Sequence, residues 1–474
     1  MSYVDLRDNS NWALADVDLR TALKDLDKPM RIEGDLSYRD RPLELTLEIG
    51  APRAAMAGRA TPFSAEAKSE LLNINFIGET TASAGVLAGE ARASGPSLRQ
   101  LAGWSGAAIA DGYGLGAFEV SGRLTTGNNQ FAFENASVRI DEVRGRGDFV
   151  ISERHDKPYV SGRLEVFDLD LNPYLASTQA EAAAQISESA SAEERAAAME
   201  EAASAPARAV DIEAAPSDVQ MDFAGLRTIN ADLELTTAAL RVQRMRVDHS
   251  QLSLVLHDGF MAATLHRLDL YGGSGRGRIE LDARADAVKI MQDYVFEGVD
   301  AHSFLTDAAN LDNLEGRAEL SFTIRTTGRT QSELIASTDG RAHIEVVSGA
   351  LRGVDLAGVS RTIARAFNGE LIRPDARTPF RGMSASFAIA DGVLASENMS
   401  FNTPDMEIRG IGVIDLGGRA LDMRIVPRSV GTRFAVPFTV RGPWGGFAYN
   451  SDIRGRERRR VEALVADVKQ RSRE

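Results

Sequence analysis

Few side chains in this sequence have the types and spacing that catalysis or metal binding requires. It contains no cysteine, which excludes thiolate nucleophiles, disulfides and Cys-based metal sites. The six histidines, none of them in an H-E-x-x-H zinc motif, are His155, His249, His257, His266, His302 and His343. His249 and His257 would share one face of a strand, but eight residues at about 3.3 Å each separate them by roughly 26 Å. The sequence therefore predicts no metal site.

Motifs for nucleophilic catalysis and nucleotide binding are incomplete. Ser105 follows Gly103 by two residues, but Ala107 stands where the G-x-S-x-G motif needs its second glycine. Gly410 and Gly412 do not open a strand–helix–strand unit, which a dinucleotide site requires. Carboxylates are abundant, with 68 acidic residues, but sequence spacing does not give the separation that a glycosidase pair needs. We expect no enzyme activity and no cofactor.

Charge and hydropathy restrict the possible partners. The net charge of -14 argues against nucleic-acid binding, which needs a basic stripe to displace counterions from phosphates. No run of about 18 apolar residues could span a bilayer. The first eight residues lack the basic segment, apolar run and cleavage site of a secretory signal. On this ground the protein is either cytoplasmic or its start lies outside this sequence.

The feature that does recur is structural: a glycine, a charged or small polar residue, and then apolar residues at every second position. Six copies begin at Gly34, Gly122, Gly147, Gly162, Gly316 and Gly340. Because side chains on a strand alternate between its faces, each copy is typical of a turn glycine followed by a strand with one apolar face. One unit used many times predicts a mainly β protein with a long, repetitive antiparallel sheet rather than a pocket.

Composition along the chain predicts four segments. Residues 1–175 and 217–453 have strand patterns, and the second of these contains the best helical pattern, at 353–368. Residues 176–216 are almost all Ala, Glu and Ser without an apolar stripe, which indicates a disordered or marginally helical linker. Residues 454–474 are a basic tail, expected to be an exposed helix, with contact to anionic headgroups as the second interpretation. Shorter helical patterns lie at residues 97–110, 286–296 and 301–310.

The order of several loose motifs resembles the AsmA family. In the C-terminal third they are 349–356 (GALRGVDL), 378–380 (TPF), 390–393 (ADGV), 410–416 (GIGVIDL) and 437–442 (PFTVRG). Upstream, 256–259 (LHDG) and 270–273 (LYGG) match the same family, and so do the G-x-L units that end in 169–175 (LDLNPYL). The resemblance covers nearly the whole chain apart from the Ala/Glu-rich linker.

The resemblance implies a bridge-like lipid-transfer protein of the bacterial envelope. Such proteins are held in the inner membrane by an N-terminal helix, and a curved β-sheet groove extends from it into the periplasm. They are implicated in outer-membrane assembly and phospholipid traffic. We therefore expect an elongated, curved sheet that forms an open or taco-like groove with a few short helices. Asn11 and Trp12 look like interior family sequence, so the anchor is expected outside these 474 residues.

The function implied is that of a non-enzymatic, periplasmic protein associated with the inner membrane, through the missing anchor or through a partner. It would carry phospholipid acyl chains along the groove and would have phospholipids and an outer-membrane or other envelope protein as partners. The alternative is a structural or interaction protein that assists outer-membrane protein assembly without carrying lipid. In that case its own side chains fill the apolar face.

Seven inward-facing residues are the candidates to line the groove. They are Leu252, Leu254, Leu256, Phe322, Ile324, Phe387 and Ile389. Alternation alone does not distinguish a groove from the core of a closed sandwich or barrel, because both need one apolar face. The groove is favoured by the family resemblance, and by strands that greatly outnumber the helices available to cover them.

Overall fold

The computed structural model of this protein describes most of the chain. The described residues are 2–5, 10–81, 86–105, 115–127, 129–154, 157–172, 216–221, 223–309, 312–354, 372–429, 437–443, 448–452 and 454–473. Almost all of the linker predicted at 176–216 lies outside the described residues, and so does most of the helix predicted at 353–368. The boundaries proposed for the four segments stay predictions.

The described residues form mainly β-strands in a repeating antiparallel arrangement, which confirms the predicted fold class. The first thirteen strands are β1 (Ser2–Asp5), β2 (Ser10–Ala22), β3 (Met30–Tyr38), β4 (Arg41–Ile49), β5 (Thr61–Lys68), β6 (Asn73–Thr81), β7 (Val86–Gly95), β8 (Phe118–Gly127), β9 (Gln130–Ile140), β10 (Val143–Arg154), β11 (Lys157–Val166), β12 (Leu169–Asp170) and β13 (Asn230–Thr237). The next fourteen are β14 (Leu240–Val242), β15 (Met245–Val247), β16 (His249–His257), β17 (Phe260–Leu270), β18 (Gly273–Asp282), β19 (Val288–Asp300), β20 (Leu314–Gly328), β21 (Asp339–Val354), β22 (Ile372–Ala390), β23 (Val393–Asn402), β24 (Met406–Asp415), β25 (Ala420–Ser429), β26 (Phe438–Pro443) and β27 (Ala448–Ser451).

Short helices accompany the strands. The α-helices are α1 (Pro52–Met56), α2 (Leu98–Ser105), α3 (Ala301–Ala309), α4 (Gln331–Ala336) and α5 (Arg456–Arg471), and a 3-10 helix covers Ala224–Arg227. Of the helices described, none combines the length and the apolar character that a membrane crossing requires.

The helix predicted at residues 286–296 is wrong, because strand β19 occupies this region. Ile290, Tyr294 and Phe296 are separated by even numbers of residues, so they lie on the same face of the strand. Strand β19 pairs with β18 on one side and with β20 on the other. Pairing on both sides provides hydrogen-bond partners for the backbone N–H and C=O groups of β19. In a helix, these groups would bond to one another within the segment. The predictions at 97–110 and 301–310 correspond to α2 and α3. Residues 106–110 of the former lie outside the described part of the chain.

The chain divides into two compact units. The first comprises Met1–Ser177, Asp222–Ala238 and Ser253–Gly259, and the second comprises Thr178–Met221, Ala239–Leu252 and Phe260–Glu474. In the first unit, β2 to β11 pair in chain order and antiparallel, and β11 then pairs in parallel with β13. In the second unit, β17 to β27 pair antiparallel in chain order.

The parallel pair explains where the Ala/Glu-rich segment lies. Antiparallel neighbours can be joined by a two-residue turn, whereas parallel neighbours need a crossover of a dozen or more residues. This segment belongs to the connection between β11 and β13. Its position in the chain therefore coincides with the change of strand direction in the first unit.

The recurrent glycines lie within strands rather than at turns, so their predicted role as turn residues is wrong. Gly147 in β10 and Gly340 in β21 have φ angles of +156° and +148°, a region that other residues avoid. A Cβ atom at Gly340 would lie 2.0 Å from the carbonyl oxygen of Thr323 on the neighbouring strand. The hairpin turns are instead two-residue connections such as Asp258 and Gly259, with φ of 47° and 86°, typical of a type I′ turn.

Gly340→Ala is expected to lower the free energy of unfolding by about 2 kcal/mol or more, because the new methyl group meets the Thr323 carbonyl in a strained conformation. The control is Gly382→Ala on the adjacent strand, where the nearest atom to a new Cβ is 4.0 Å away. This control should change stability by at most about 1 kcal/mol. Urea unfolding measures both, and equal stabilities for the two variants would contradict the assignment.

Candidate functional site

Each sheet separates apolar from charged side chains by face. In the first unit, one row of cross-strand partners is apolar and small: Leu45, Ala67, Ile74, Ala93, Val120, Val138 and Gly145. A row on the opposite side is largely charged or polar: Glu48, Ser64, Ile77, Glu90, Arg123 and Glu134. Antiparallel partners lie on the same face. We call the two sides the apolar face and the charged face, and use the same names in the second unit.

Four of the seven predicted groove residues lie together on the apolar face of the second unit. Phe322 of β20 and Phe387 of β22 are joined in register through the intervening strand β21. Ile324 and Ile389, two positions further along the same strands, are joined in the same way. Phe322, Ile324 and Phe387 are half-buried and Ile389 is buried. Their common face follows from pairing, as the alternation predicted.

The other three candidates belong to β16. Leu252, Leu254 and Leu256 alternate along this strand, so they share one of its faces. Leu252 and Leu254 are half-buried, and Leu256 is buried. Whether all seven residues line one surface stays a prediction.

An aromatic cluster lies on the apolar face of the second unit, on β19 and β20. The ring of Tyr294 stacks on Phe296 with centroids 5.6 Å apart, and it lies 5.1 Å from Phe322. Phe304 of α3 lies 5.4 Å from Phe296 and extends the cluster toward one end of the strands. Burial raises the pKa of Tyr294 to about 12. These rings contribute a wide apolar surface with fixed geometry.

The apolar face of the first unit leaves large hydrophobic side chains in contact with solvent. Phe131 is 49% exposed and Ile74 is 36% exposed. Leu45, Leu47 and Leu124 on the same face are half-buried. Other residues of this face are buried, with Phe76 3% and Phe149 7% exposed, so the described part of the face is covered at some positions and open to solvent at others.

The charged face is hydrated and held by cross-strand ion pairs. Arg146 pairs with Glu165 at 2.8 Å, and Arg163 pairs with Glu234 at 2.6 Å, with all four side chains more than 40% exposed. Exposed pairs of this kind stabilise a protein by at most about 1 kcal/mol each. Their role is to keep this side of the sheet in water and so to fix which side is apolar.

Helix α5 covers part of the charged face of the second unit and does not cover the apolar one. Its buried residues Val465 and Val468 pack against Ala390 and Ala395. Ala390 follows Ile389 in the chain, so it points to the side opposite the groove candidates. The expectation that the basic tail is an exposed helix is therefore wrong, because small side chains on this part of the charged face accept its valines.

Ion pairs hold α5 in place at both ends. Arg460 donates to the Asp422 carboxylate at 2.9 Å, and Arg471 lies 2.6 Å from Asp391. Just before the helix, burial would raise the pKa of Asp452, but hydrogen bonds from the Arg424 side chain and the Glu457 backbone outweigh burial and lower it. Asp452 therefore stays ionised and fixes the start of α5.

The remaining helices of the second unit lie toward the ends of the strands. Helix α3 contacts β19 and β20 and places Phe304 over Phe296. Helix α4 contacts β20 near its other end, where the hydroxyl of Thr326 donates to the carbonyl of Leu334. Phe322 and Ile324 lie between Phe296 and Thr326 on this face and are half-buried.

Several residues of the apolar faces are absent from the candidates chosen from sequence. Gln292 and Tyr294 were missed because their segment was assigned to a helix, although Ile290, Gln292, Tyr294 and Phe296 show the two-residue period of a strand. Ile74 and Phe131 were missed because no candidate was named in the first unit. Among the described residues, no group of three or more His, Cys, Asp or Glu side chains could hold a metal ion. The absence of enzyme activity stays a prediction.

Comparison with known proteins gives one match. The sequence model of the AsmA family matches residues 50–399, which is most of the chain. No curated protein and no solved structure matches this chain. The matched region includes strands of both units, and all seven groove candidates lie within it.

Val465→Asp should lower the free energy of unfolding by about 3 kcal/mol or more, because it places an unpaired charge between α5 and the sheet. Val465 is 3% exposed. The adjacent Leu464 is 38% exposed, so Leu464→Asp is the control and should change stability by less than about 1 kcal/mol. Denaturant unfolding compares the two. Equal tolerance of both substitutions would contradict the docked position of α5.

Proposed function

The chain belongs to the AsmA family, and from this premise we propose that it carries phospholipid acyl chains along the apolar faces of its sheets. Membership of this family supports an envelope-associated function. The single observation that supports lipid carriage is a face that stays apolar from strand to strand, with Phe131 and Ile74 in contact with solvent. The proposed role is passive and non-enzymatic.

The energetic requirement of lipid transfer matches what such a face supplies. Moving an acyl chain through water costs about 0.8 kcal/mol per methylene, or on the order of 12 kcal/mol for a 16-carbon chain. Contact with Leu, Ile and Phe side chains on a continuous face removes most of this cost. The headgroup would stay in water, so no chemical step is needed.

The dimensions of each sheet are sufficient for an acyl chain. Twelve strands pair in succession in the first unit and eleven in the second, and a strand spacing of about 4.8 Å gives roughly 48 Å or more along the direction of pairing. An acyl chain spans half of a hydrocarbon core that is about 30 Å thick. Either apolar face is therefore longer than the chain it would hold.

The proposed setting is the periplasm, next to the inner membrane. Phospholipids are the proposed ligands, and attachment to the inner membrane would come from an anchor or from a partner protein. We propose an outer-membrane or other envelope protein as the partner that receives the lipid. Specificity for headgroups should be low, because the charged groups of the sheets lie on the opposite face from the acyl chains.

Ile74→Glu should slow phospholipid transfer between vesicles by about tenfold or more, because a carboxylate facing acyl chains is costly to desolvate. Ile74 lies on the apolar face between Ala67 and Ala93. The control, Ile77→Glu on the same strand, changes a residue that is 64% exposed on the charged face, and should leave transfer unchanged. The transfer assay uses fluorescent phospholipid in donor vesicles, and thermal melts verify that both variants are folded.

Lipid extraction and mass spectrometry of the protein, purified from the periplasm without detergent, complete this test. Stoichiometric phospholipid in the wild type and in Ile77→Glu, with less in Ile74→Glu, supports lipid carriage. A stable protein without lipid and without transfer activity contradicts it. That result would favour the alternative of an interaction protein in outer-membrane protein assembly.

A further inference from the structure

Gln292 and Tyr294 place polar groups within the apolar face of the second unit. Gln292 and Tyr294 are two positions apart on β19, so both point to this face, with Cα atoms about 6.6 Å apart. Their cross-strand neighbours on β20, Ile324 and Phe322, are groove candidates. A side-chain amide and a phenol hydroxyl therefore lie within the surface proposed to hold acyl chains.

The position of the Tyr294 ring is fixed by its neighbours. Phe296 stacks on one side at 5.6 Å with only 8° between the ring planes, and Phe322 lies at 5.1 Å. On β18 the ring lies over Gly277, where a Cβ atom would come within 2.5 Å of it. A residue larger than glycine at this position would displace the ring. The hydroxyl is therefore held at one place on the face rather than free to turn away.

Neither polar group has its hydrogen bonds satisfied by the protein. Within the described part of the chain, no hydrogen bond joins the Gln292 amide or the Tyr294 hydroxyl to another residue, and burial alone accounts for the raised pKa of Tyr294. Both residues are half-buried, and their polar atoms are not among the fully buried atoms without a partner in the described part of the chain, so water or a ligand can reach both groups. Both groups stay neutral and offer hydrogen-bond donors at neutral pH.

The surroundings indicate which ligand group would accept these bonds. The row through Tyr294 consists of Leu265, Gly277, Phe322, Ala342 and Phe387, and the row through Gln292 consists of Ala263, Ile279, Ile324, Gly340 and Ile389. Neither row contains a cation. Phosphate recognition normally uses Arg or Lys, whereas a neutral carbonyl oxygen needs only a neutral donor.

We propose that Gln292 and Tyr294 form a hydrogen-bonding site for the ester carbonyl oxygens of a diacyl lipid. This inference rests on the proposed function and deepens it, because it names the part of the lipid that the face recognises. The acyl chains would lie on the aromatic and aliphatic residues on either side, and the ester region would stop at the two donors. The site would distinguish ester-linked lipids from ether-linked lipids, which lack the carbonyl oxygen.

The test compares binding of an ester-linked phosphatidylethanolamine with that of its dialkyl ether analogue, which has the same headgroup and chain length. The wild type should bind the ester lipid about tenfold more tightly, as one or two net hydrogen bonds would give. The double variant Gln292→Met and Tyr294→Phe should bind the two lipids equally, because its affinity falls only for the ester lipid. Tyr159→Phe is the matched control, since this tyrosine lies under Arg154 on the charged face of the first unit.

The outcomes separate this inference from the proposed function. If the wild type binds both lipids with equal affinity, or if the double variant keeps the preference for the ester lipid, the hydrogen-bonding site is wrong while lipid carriage stands. If the wild type binds neither lipid, the proposed function itself fails. Tyr294→Phe alone serves as a second variant that preserves the ring stacking, and it should lose part of the preference without loss of stability.

Discussion

All strands of these sheets must keep their apolar residues on the face that their neighbours use. Alternation has a period of two, so a slip of one residue would turn a whole strand over. The sheets keep this order even at irregular positions. In β9, Ala136 and Phe133 are three residues apart, yet both meet apolar-face partners on β10, Gly147 and Phe149, because a bulge intervenes. The backbone N–H of Asn135 donates to the Asp148 carboxylate at 2.8 Å within that bulge, so the irregularity itself is held by a hydrogen bond.

How far sequence predicts this structure depends on the range of the interactions involved. Strand type and face follow from local alternation, and the common face of Phe322, Ile324, Phe387 and Ile389 could be predicted from it. Glycine was misleading, because the residue that permits a tight turn also permits a close approach between strands, and only the partner strand decides between the two uses at Gly340. The docking of α5 depends on Ala390 and Ala395, which precede Val465 by 70 residues or more. These alanines belong to strands β22 and β23, so the local sequence of α5 does not indicate the contact.

The two faces solve different physical problems. A charged face with ion pairs is stable in water but offers little apolar area, and α5 adds a small buried cluster there through its valines. The apolar face is stabilised by packing between side chains along each row and between adjacent aromatic rings, such as Phe133 and Phe149, whose centroids are 5.0 Å apart. Each strand makes most of its contacts with its immediate neighbours, as in repeat proteins.

A surface that moves a ligand must bind it without holding it too tightly. A uniformly apolar face meets this requirement, because an acyl chain that advances by one strand exchanges one set of contacts for an equivalent set. A cationic group on the face would create a deep well for phosphate and would also be costly to desolvate. In the proposed function, neutral donors such as Gln292 and Tyr294 would provide a shallow well, since a net hydrogen bond contributes only about 1 kcal/mol. An interruption of this strength would select the orientation of the lipid while leaving its movement along the sheet possible.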